Sequence, residues 1–285
     1  LRLGSKVTVI EGAKALSKDD PELTAIVLRH LRDEGLEIRE GTKVEKAERA
    51  GDGRVRVLVT SEAGPATIEG THILVAAGRK PNIDSLNLGA AGVKHDRRGI
   101  SLNAGLVTSN AKIYAIGDCI GGLQFTHVAN YHAGIVIRRV LFRLPAKVDT
   151  GIVPWVTYTE PELAHVGLTE AQAAERHKGI KVLRWPYHEN DRAQAERATS
   201  GLVKVVVDKS GAILGASIVG EHAGEVIQMW SLAVSQKMKI KAMTEWISPY
   251  PTLSEINKRA AYRYFSGATG NALVRKAIGW LKAFG

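Results

Sequence analysis

Two carboxylates stand where apolar runs end. Residues 6–11, Lys-Val-Thr-Val-Ile-Glu, read as a buried strand closed by Glu11, with Gly4 placed as at the end of a preceding helix. In a dinucleotide-binding βαβ unit, an acid at that place accepts a hydrogen bond from a ribose 2′-hydroxyl. The second acid is Asp118, which follows Gly117 at the end of an expected apolar strand, Ile113–Ile116. Such a carboxylate accepts from hydroxyls, and a glycine before it lets the backbone come close to a ligand. After a glycine turn, Gln124-Phe125-Thr126-His127-Val128-Ala129 opens a helix running to about Phe142. A helix N-terminus carries partial positive charge and N–H groups without intrahelical partners. The single cysteine, Cys119, cannot form an internal disulfide. As a lone thiol it reads as a small packing residue.

These groups need elements to position them. Asp20-Pro21-Glu22 is a helix start, with a capping acid, a proline in the first turn and a further acid. Leu23, Ile26, Val27 and Leu31 then form one apolar stripe, and Gly35 ends the helix. Short strands are expected at 36–39, 43–49, 54–60 and 66–70, and Thr71–Gly78 reads as a buried strand ending in glycine. Further on, strands are expected at 153–158, 163–168, 180–187, 202–208 and 212–219, with a tight turn at Gly211. Helices are expected from Thr169 to about Arg176 and from Glu221 to Gln236, the latter with Val226, Ile227, Trp230, Ala233 and Val234 on one face. The glycine-rich phosphate loop of a βαβ unit lies about 20 residues before its acid. Counting back from Glu11 passes residue 1, and Gly-x-Gly-x-x-Gly occurs nowhere in the chain. Leu1 rather than Met stands first, so a preceding portion carrying that loop is expected in a parent protein.

The 285 residues suit about two domains, and 45% hydrophobic with 24% charged residues suits a globular chain. The net charge of +10 raises the question of nucleic acid, but no Lys/Arg block of five or more occurs, and none is expected to bind. No apolar run approaches the roughly 20 residues of a membrane span. One cysteine suits a reducing, cytoplasmic location. His188 and His222 lack ligand-like neighbours at suitable spacing, and no metal site is expected.

Four stretches, in order, resemble the pyridine nucleotide–disulfide oxidoreductases, the family of dihydrolipoamide dehydrogenase, glutathione reductase and mercuric reductase. They are Ile73-Leu74-Val75-Ala76-Ala77-Gly78-Arg79-Lys80-Pro81-Asn82, Ile113-Tyr114-Ala115-Ile116-Gly117-Asp118, Val153 to Glu170, and Pro251-Thr252-Leu253-Ser254-Glu255. The resemblance implies α/β plus α+β architecture. Residues 1–78 would be a Rossmann-like NAD(P)-binding domain lacking its start. Residues 79–149 would be the C-terminal segment of an FAD-binding domain, and 150–270 a complete α+β dimerisation domain. It implies FAD and NAD(P)H as cofactors and a homodimer. It places Val44 and Gly78 with Glu11, Gly117, Asp118, Gln124, Phe125, Thr126 and His127 among cofactor-binding residues. Asp118 would serve the flavin's ribityl hydroxyls, and the helix start at 124–129 its pyrimidine edge.

The resemblance also implies a His–Glu pair lent to the partner subunit's active site as general acid–base. Glu255 is in place, but Tyr250 stands where the His is expected. An ordinary Tyr, with a pKa near 10, is a poor base at neutral pH yet can donate a hydrogen bond. Lipoamide or glutathione reduction therefore becomes less expected. Mercury is not favoured either, because the paired C-terminal cysteines of mercuric reductases are missing. The expected activity is hydride transfer from NAD(P)H to FAD and on to a redox Cys pair absent from this chain, serving a disulfide or small-molecule acceptor. Alternatives are a flavin-dependent quinone or metal (mercuric-type) reductase, and an inactive dimerisation fragment. Glu11 favours NAD over NADP, since its carboxylate would repel a 2′-phosphate. Finally, 271–285 reads as an amphipathic helix, with Leu273, Ala277, Trp280, Leu281 and Phe284 on one side and Arg275, Lys276 and Lys282 among the polar positions. The expectation is a helix docked on its own dimer, with contact to a membrane surface as the alternative.

Overall fold

The computed structural model describes all residues except Asp52, 268–271 and 283–285. The chain divides into two compact units, one of residues 1–72 with 154–285 and one of residues 73–153.

The first unit opens with β1 (Thr8–Ile10), α1 (Pro21–Asp33) and β2 (Glu37–Arg39). β1 and β2 pair in parallel. A meander of β3 (Lys43–Arg49), β4 (Val55–Ser61) and β5 (Gly64–Gly70) follows, antiparallel in that order. Asp20 caps α1 by accepting from the Glu22 backbone N–H at 3.0 Å, which satisfies one of the first-turn N–H groups that the helix cannot bond itself.

The second unit holds β6 (His95–Asp96), β7 (Gly99–Ile100) and α2 (Thr126–Val140). Its core is small: Ile83, Val93, Ile100 and Ala115 cluster, and Leu106 packs with Ile135 of α2.

The first unit resumes with β8 (Trp155–Thr157), β9 (Glu162–Gly167), α3 (Glu170–Arg176), β10 (Ile180–Pro186), α4 (Asp191–Glu196), β11 (Leu202–Asp208) and β12 (Ile213–Gly220). Helices α5 (Ala223–Val226), α6 (Gln228–Ser235), α7 (Ala242–Glu245), α8 (Glu255–Tyr262) and α9 (Ala272–Leu281) complete it. The five strands form one antiparallel sheet in the order β10-β11-β12-β9-β8. One layer of apolar side chains, among them Ala164, Val205, Ile218, Ile227, Trp230 and Ile256, lies between that sheet and α5, α6 and α8. This is the α+β sandwich expected for the region. Tyr187 is fully buried where a Cβ on Gly220 would lie 2.3 Å from its ring, so only glycine fits there.

The other side of the sheet receives α1. Leu23 and Val27 of its apolar stripe pack on Leu163 and Val219. Lys204 of β11 reaches Asp20 at 2.7 Å, Glu22 at 2.8 Å and Glu170 at 2.6 Å. Arg184 of β10 joins by bonding Glu22 and Glu170.

Five expectations need correction. Residues 6–11 are not buried: Lys6 and Val9 are exposed, since among the described residues β1 pairs with β2 alone. Thr71–Gly78 is not a strand, and Leu74 is 89% exposed. A buried parallel strand takes its hydrogen bonds from neighbouring strands, and among the described residues none pairs with 71–78. Ile113–Ile116 is likewise no strand; only Tyr114 makes an isolated bridge, to Val107. Gly4 lies in a turn, its N–H bonded to the Leu1 carbonyl, rather than at a helix end. The single helix expected over 221–236 starts at Ala223, after His222 in the left-handed region (φ 55°), and is divided at Ile227. Of the expected tail helix, Phe284 lies outside the described residues.

Candidate functional site

In the second unit the site is built around the turn Gly117–Ile120. Gly117 has φ +69°, and a Cβ on it would lie 3.1 Å from that of Ala129 in the first turns of α2. Its N–H donates to Nδ1 of His132 at 3.3 Å. Burial pushes the pKa of His132 down, which keeps the ring neutral and able to accept. These contacts hold Asp118 beside the start of α2. The Asp118 carboxylate is half exposed, 3.9 Å from the Arg79 guanidinium. Arg79 also donates to the Gln124 carbonyl at 2.7 Å. One cation thus ties the Gly78-Arg79 loop to the acid and to the residue leading into the helix.

Phe125, the N-cap of α2, is extended and gives no side-chain cap. Its ring stacks on that of His127, with centroids 5.1 Å apart. Thr126 is the first helical residue. Gly117, Asp118, Gln124, Phe125, Thr126 and His127 are therefore at one corner, a carboxylate beside an uncapped helix start. That donor set fits part of a flavin nucleotide: an acceptor for sugar-chain hydroxyls and a positive helix end for an electron-rich ring. Gly78 adjoins through Arg79, with φ +102° and open space around it. Arg79 and His132 were not singled out by sequence reasoning, because each is joined to the site only through space. Cys119 donates its S–H to the Ile116 carbonyl at 3.1 Å and packs against the small core.

In the first unit, Glu11 follows β1 and accepts from the Ala13 N–H at 2.9 Å. Its backbone carbonyl takes the Thr42 N–H, which brings the start of β3 to the acid. Val44, two residues further on, is exposed at the bulge between β3 and β4. A second acid, Glu40, pins the same loop by accepting from the Ala15 N–H at 2.9 Å and from Arg32 at 2.8 Å. These bonds, the backbone one first, lower its pKa. Sequence reasoning passed over Glu40, because a second acid 29 residues after Glu11 carries no local signal.

Tyr250 and Glu255 do not pair with each other. The Tyr250 hydroxyl donates to Asp191 at 2.8 Å, and the Glu255 carboxylate, at the first residue of α8, is held by Arg259 at 2.7 Å. The bond to Asp191 raises the Tyr250 pKa, so the phenol is a hydrogen-bond donor at neutral pH and not a base. Tyr250 is 69% exposed. Asp191 is a further residue that sequence reasoning missed. His188 is exposed, and His222 lies 3.5 Å from Glu221. Among the described residues, no group of three or more His, Cys, Asp or Glu side chains is arranged to hold a metal ion. Among them also, no helix is long and apolar enough to cross a membrane.

Comparison with known proteins identifies the family. Residues 1–133 match the model of the pyridine nucleotide-disulphide oxidoreductases, and residues 153–261 match the dimerisation domain of the same family. A mercuric reductase of Lysinibacillus sphaericus is 41% identical over 265 residues, 92% of this chain and 48% of that protein. A dihydrolipoyl dehydrogenase of Staphylococcus aureus is 37% identical over 261 residues, 90% of this chain and 55% of that protein. The chain thus spans about half the length of the curated relatives it matches. Among solved structures, LpdA of Mycobacterium tuberculosis superposes with a TM-score of 0.84 at 26% identity, over 92% of this chain and 57% of that one. The HOCl-induced flavoprotein disulfide reductase RclA of Escherichia coli, as its Cu(II) complex, gives 0.82 at 30% identity, over 90% and 58%. The chain is a partial member of the pyridine nucleotide-disulphide oxidoreductase family, whose members are FAD-dependent enzymes.

Proposed function

We propose that this chain carries the C-terminal flavin contacts, part of the nucleotide-binding domain and the dimer-forming domain of an NAD(P)H-dependent flavoprotein reductase. The observation that carries this reading is the corner where Asp118, Gly117 and the uncapped start of α2 are held together by Arg79 and His132. A bound flavin supplies hydride acceptance from NAD(P)H and electron delivery to an acceptor. The residues of this chain bind and orient: Asp118 accepts from sugar-chain hydroxyls, Gly117 permits close approach, and Gln124 to His127 present the helix end. In the parent protein, Asp118→Ala is expected to weaken FAD retention about tenfold, the scale of one hydrogen bond to a charged group. Flavin absorbance after dialysis measures it, and unchanged retention would count against the assignment.

Glu11 supports NAD rather than NADP, as an acceptor for a ribose hydroxyl that would repel a phosphate. Glu11→Ala is expected to raise the KM for NADH more than that for NADPH in steady-state assays. Equal effects would remove the claim.

The match of residues 153–261 to the dimerisation domain supports a homodimer, in which Tyr250 and Glu255 would line the partner's acceptor site. There Tyr250 could act as donor only once its single O–H proton turns from Asp191 to the acceptor. The acceptor is a disulfide in the first reading and a quinone or metal in the second. The exposed phenol in place of a basic imidazole favours giving weight to the second, since thiol chemistry has no general base at this position. A Cys-x4-Cys motif in the parent sequence would decide for the first.

A further inference from the structure

The C-terminal helix lies beyond the last residue matched by the family's dimerisation domain, residue 261. It therefore asks for a role of its own. No residue of α9 is buried on this chain, and Leu273, Ile278, Trp280 and Leu281 are all exposed large apolar side chains. At about 100° per residue, from 3.6 residues per turn, the order around the helix is Trp280, Leu273, Ala277, Leu281, Val274 and Ile278. These six fill one arc of roughly 160° on that spacing. Lys276 adjoins the Trp280 edge of the arc, and Lys282 and Arg275 adjoin the Ile278 edge. Cations thus flank the apolar face on both sides, where their stems can lie along it and their charges turn outward. The charge pattern is one-sided: after Glu255 the sequence holds Lys258, Arg259, Arg263, Arg275, Lys276 and Lys282 and no Asp or Glu.

We infer that α9 docks on an anionic lipid surface, lying in the plane of the headgroups with its apolar arc inserted. The flanking cations meet lipid phosphates, and Trp280 sits at the level where an amphipathic ring has one side apolar and one side wet. An acid-free stretch of thirty residues favours an anionic surface over a second copy of this chain, whose corresponding face carries the same charge. The ten residues described as α9 are enough to lie along a bilayer surface. This inference does not depend on the flavin or nucleotide assignments.

The test is sedimentation of the 285-residue chain with vesicles of phosphatidylcholine alone, or with about a third phosphatidylglycerol. The expected result is at least about tenfold stronger partitioning to the anionic vesicles, reduced by raising salt to about 0.5 M. Trp280→Glu with Leu281→Glu should abolish binding, and Arg275→Glu with Lys276→Glu should remove the preference for anionic lipid. Unchanged far-UV circular dichroism shows that the variants keep their fold. Equal pelleting of the parent chain and the Trp280→Glu, Leu281→Glu variant would overturn the inference. So would self-association without lipid that the same variant removes, since a second copy would then be the occupant.

Discussion

Lys204→Met is expected to destabilise the first unit by about 3–5 kcal/mol, the cost of leaving one partner of a buried ion pair behind. Lys204 is 4% exposed and Asp20 2%, so neither can turn to water when the other is lost. Methionine keeps the length and apolar stem of lysine, which confines the effect to the charge. Asp20 would keep its cap bond to the Glu22 N–H but lose its cation. Thermal unfolding should show it as a fall of roughly 2–4 °C per kcal/mol. Adding Asp20→Asn, which still caps the helix but carries no charge, should recover part of the loss. A fall under about 1 kcal/mol, typical of an exposed pair, would show the cluster to be solvated.

The same cluster sets the response to pH. Burial acts against the Lys204 ammonium, but hydrogen bonds to Asp20, Glu170 and Glu22 outweigh it and raise its pKa. The hydrogen bond from Arg184, and after it those from Lys204, hold Glu22 down at about 2. A depressed carboxylate stabilises the fold above its unfolded value and ceases to do so as pH falls through its folded value. Stability from Glu22 is therefore full above about 4.5 and lost toward about 2. Lysine runs the other way, its contribution full below about 10.5 and lost as pH rises beyond. The Glu22 contribution to unfolding free energy should disappear on the acid side in a Glu22→Gln variant, whose stability would be flatter between pH 4.5 and 2.

Trp230→Ala is expected to cost about 3–5 kcal/mol through the cavity alone. The indole is fully buried between the sheet and α8. It also donates to Asn257 Oδ1 at 2.7 Å, and Asn257 in turn donates to the Val226 carbonyl at 2.9 Å. Truncation would leave a buried amide oxygen without its donor, adding about 1–3 kcal/mol. Urea denaturation should show a lower midpoint with an unchanged slope. Trp230→Phe separates the two contributions, filling most of the space while losing the bond, and should fall between the parent and Ala. Equal stabilities for Phe and Trp would show the hydrogen bond to contribute nothing.

What could be read from the sequence was what depends on near neighbours. Asp20-Pro21-Glu22 announced α1 because cap, proline and first-turn acid act within one turn of the chain. The apolar runs at 202–208 and 212–219 announced two strands, and Gly211 the turn between them. Gly117-Asp118 was legible because a glycine beside an acid at the end of an apolar run is a local pattern. Thr71–Gly78 had the composition of a buried strand, but composition cannot say whether pairing partners are at hand. Lys204 sits among valines with nothing local to name its partner, and that partner, Asp20, is 184 residues away. Arg79 and His132 were hidden for the same reason, since each meets the Gly117–Gln124 segment only after folding.

The seating of α1 on the five-stranded sheet bears on how the molecule can be dissected. A fragment begun near residue 150, where the sequence alone would draw a border, would strip that sheet of its cover. Leu163 and Val219 would face water, and the Lys204 ammonium would keep Glu170 but lose two of its three acids. Such a piece would be sticky and poorly behaved in solution. Anyone preparing the dimer-forming domain for study would do better to retain the first 72 residues with it, because sequence continuity and physical separability part ways here.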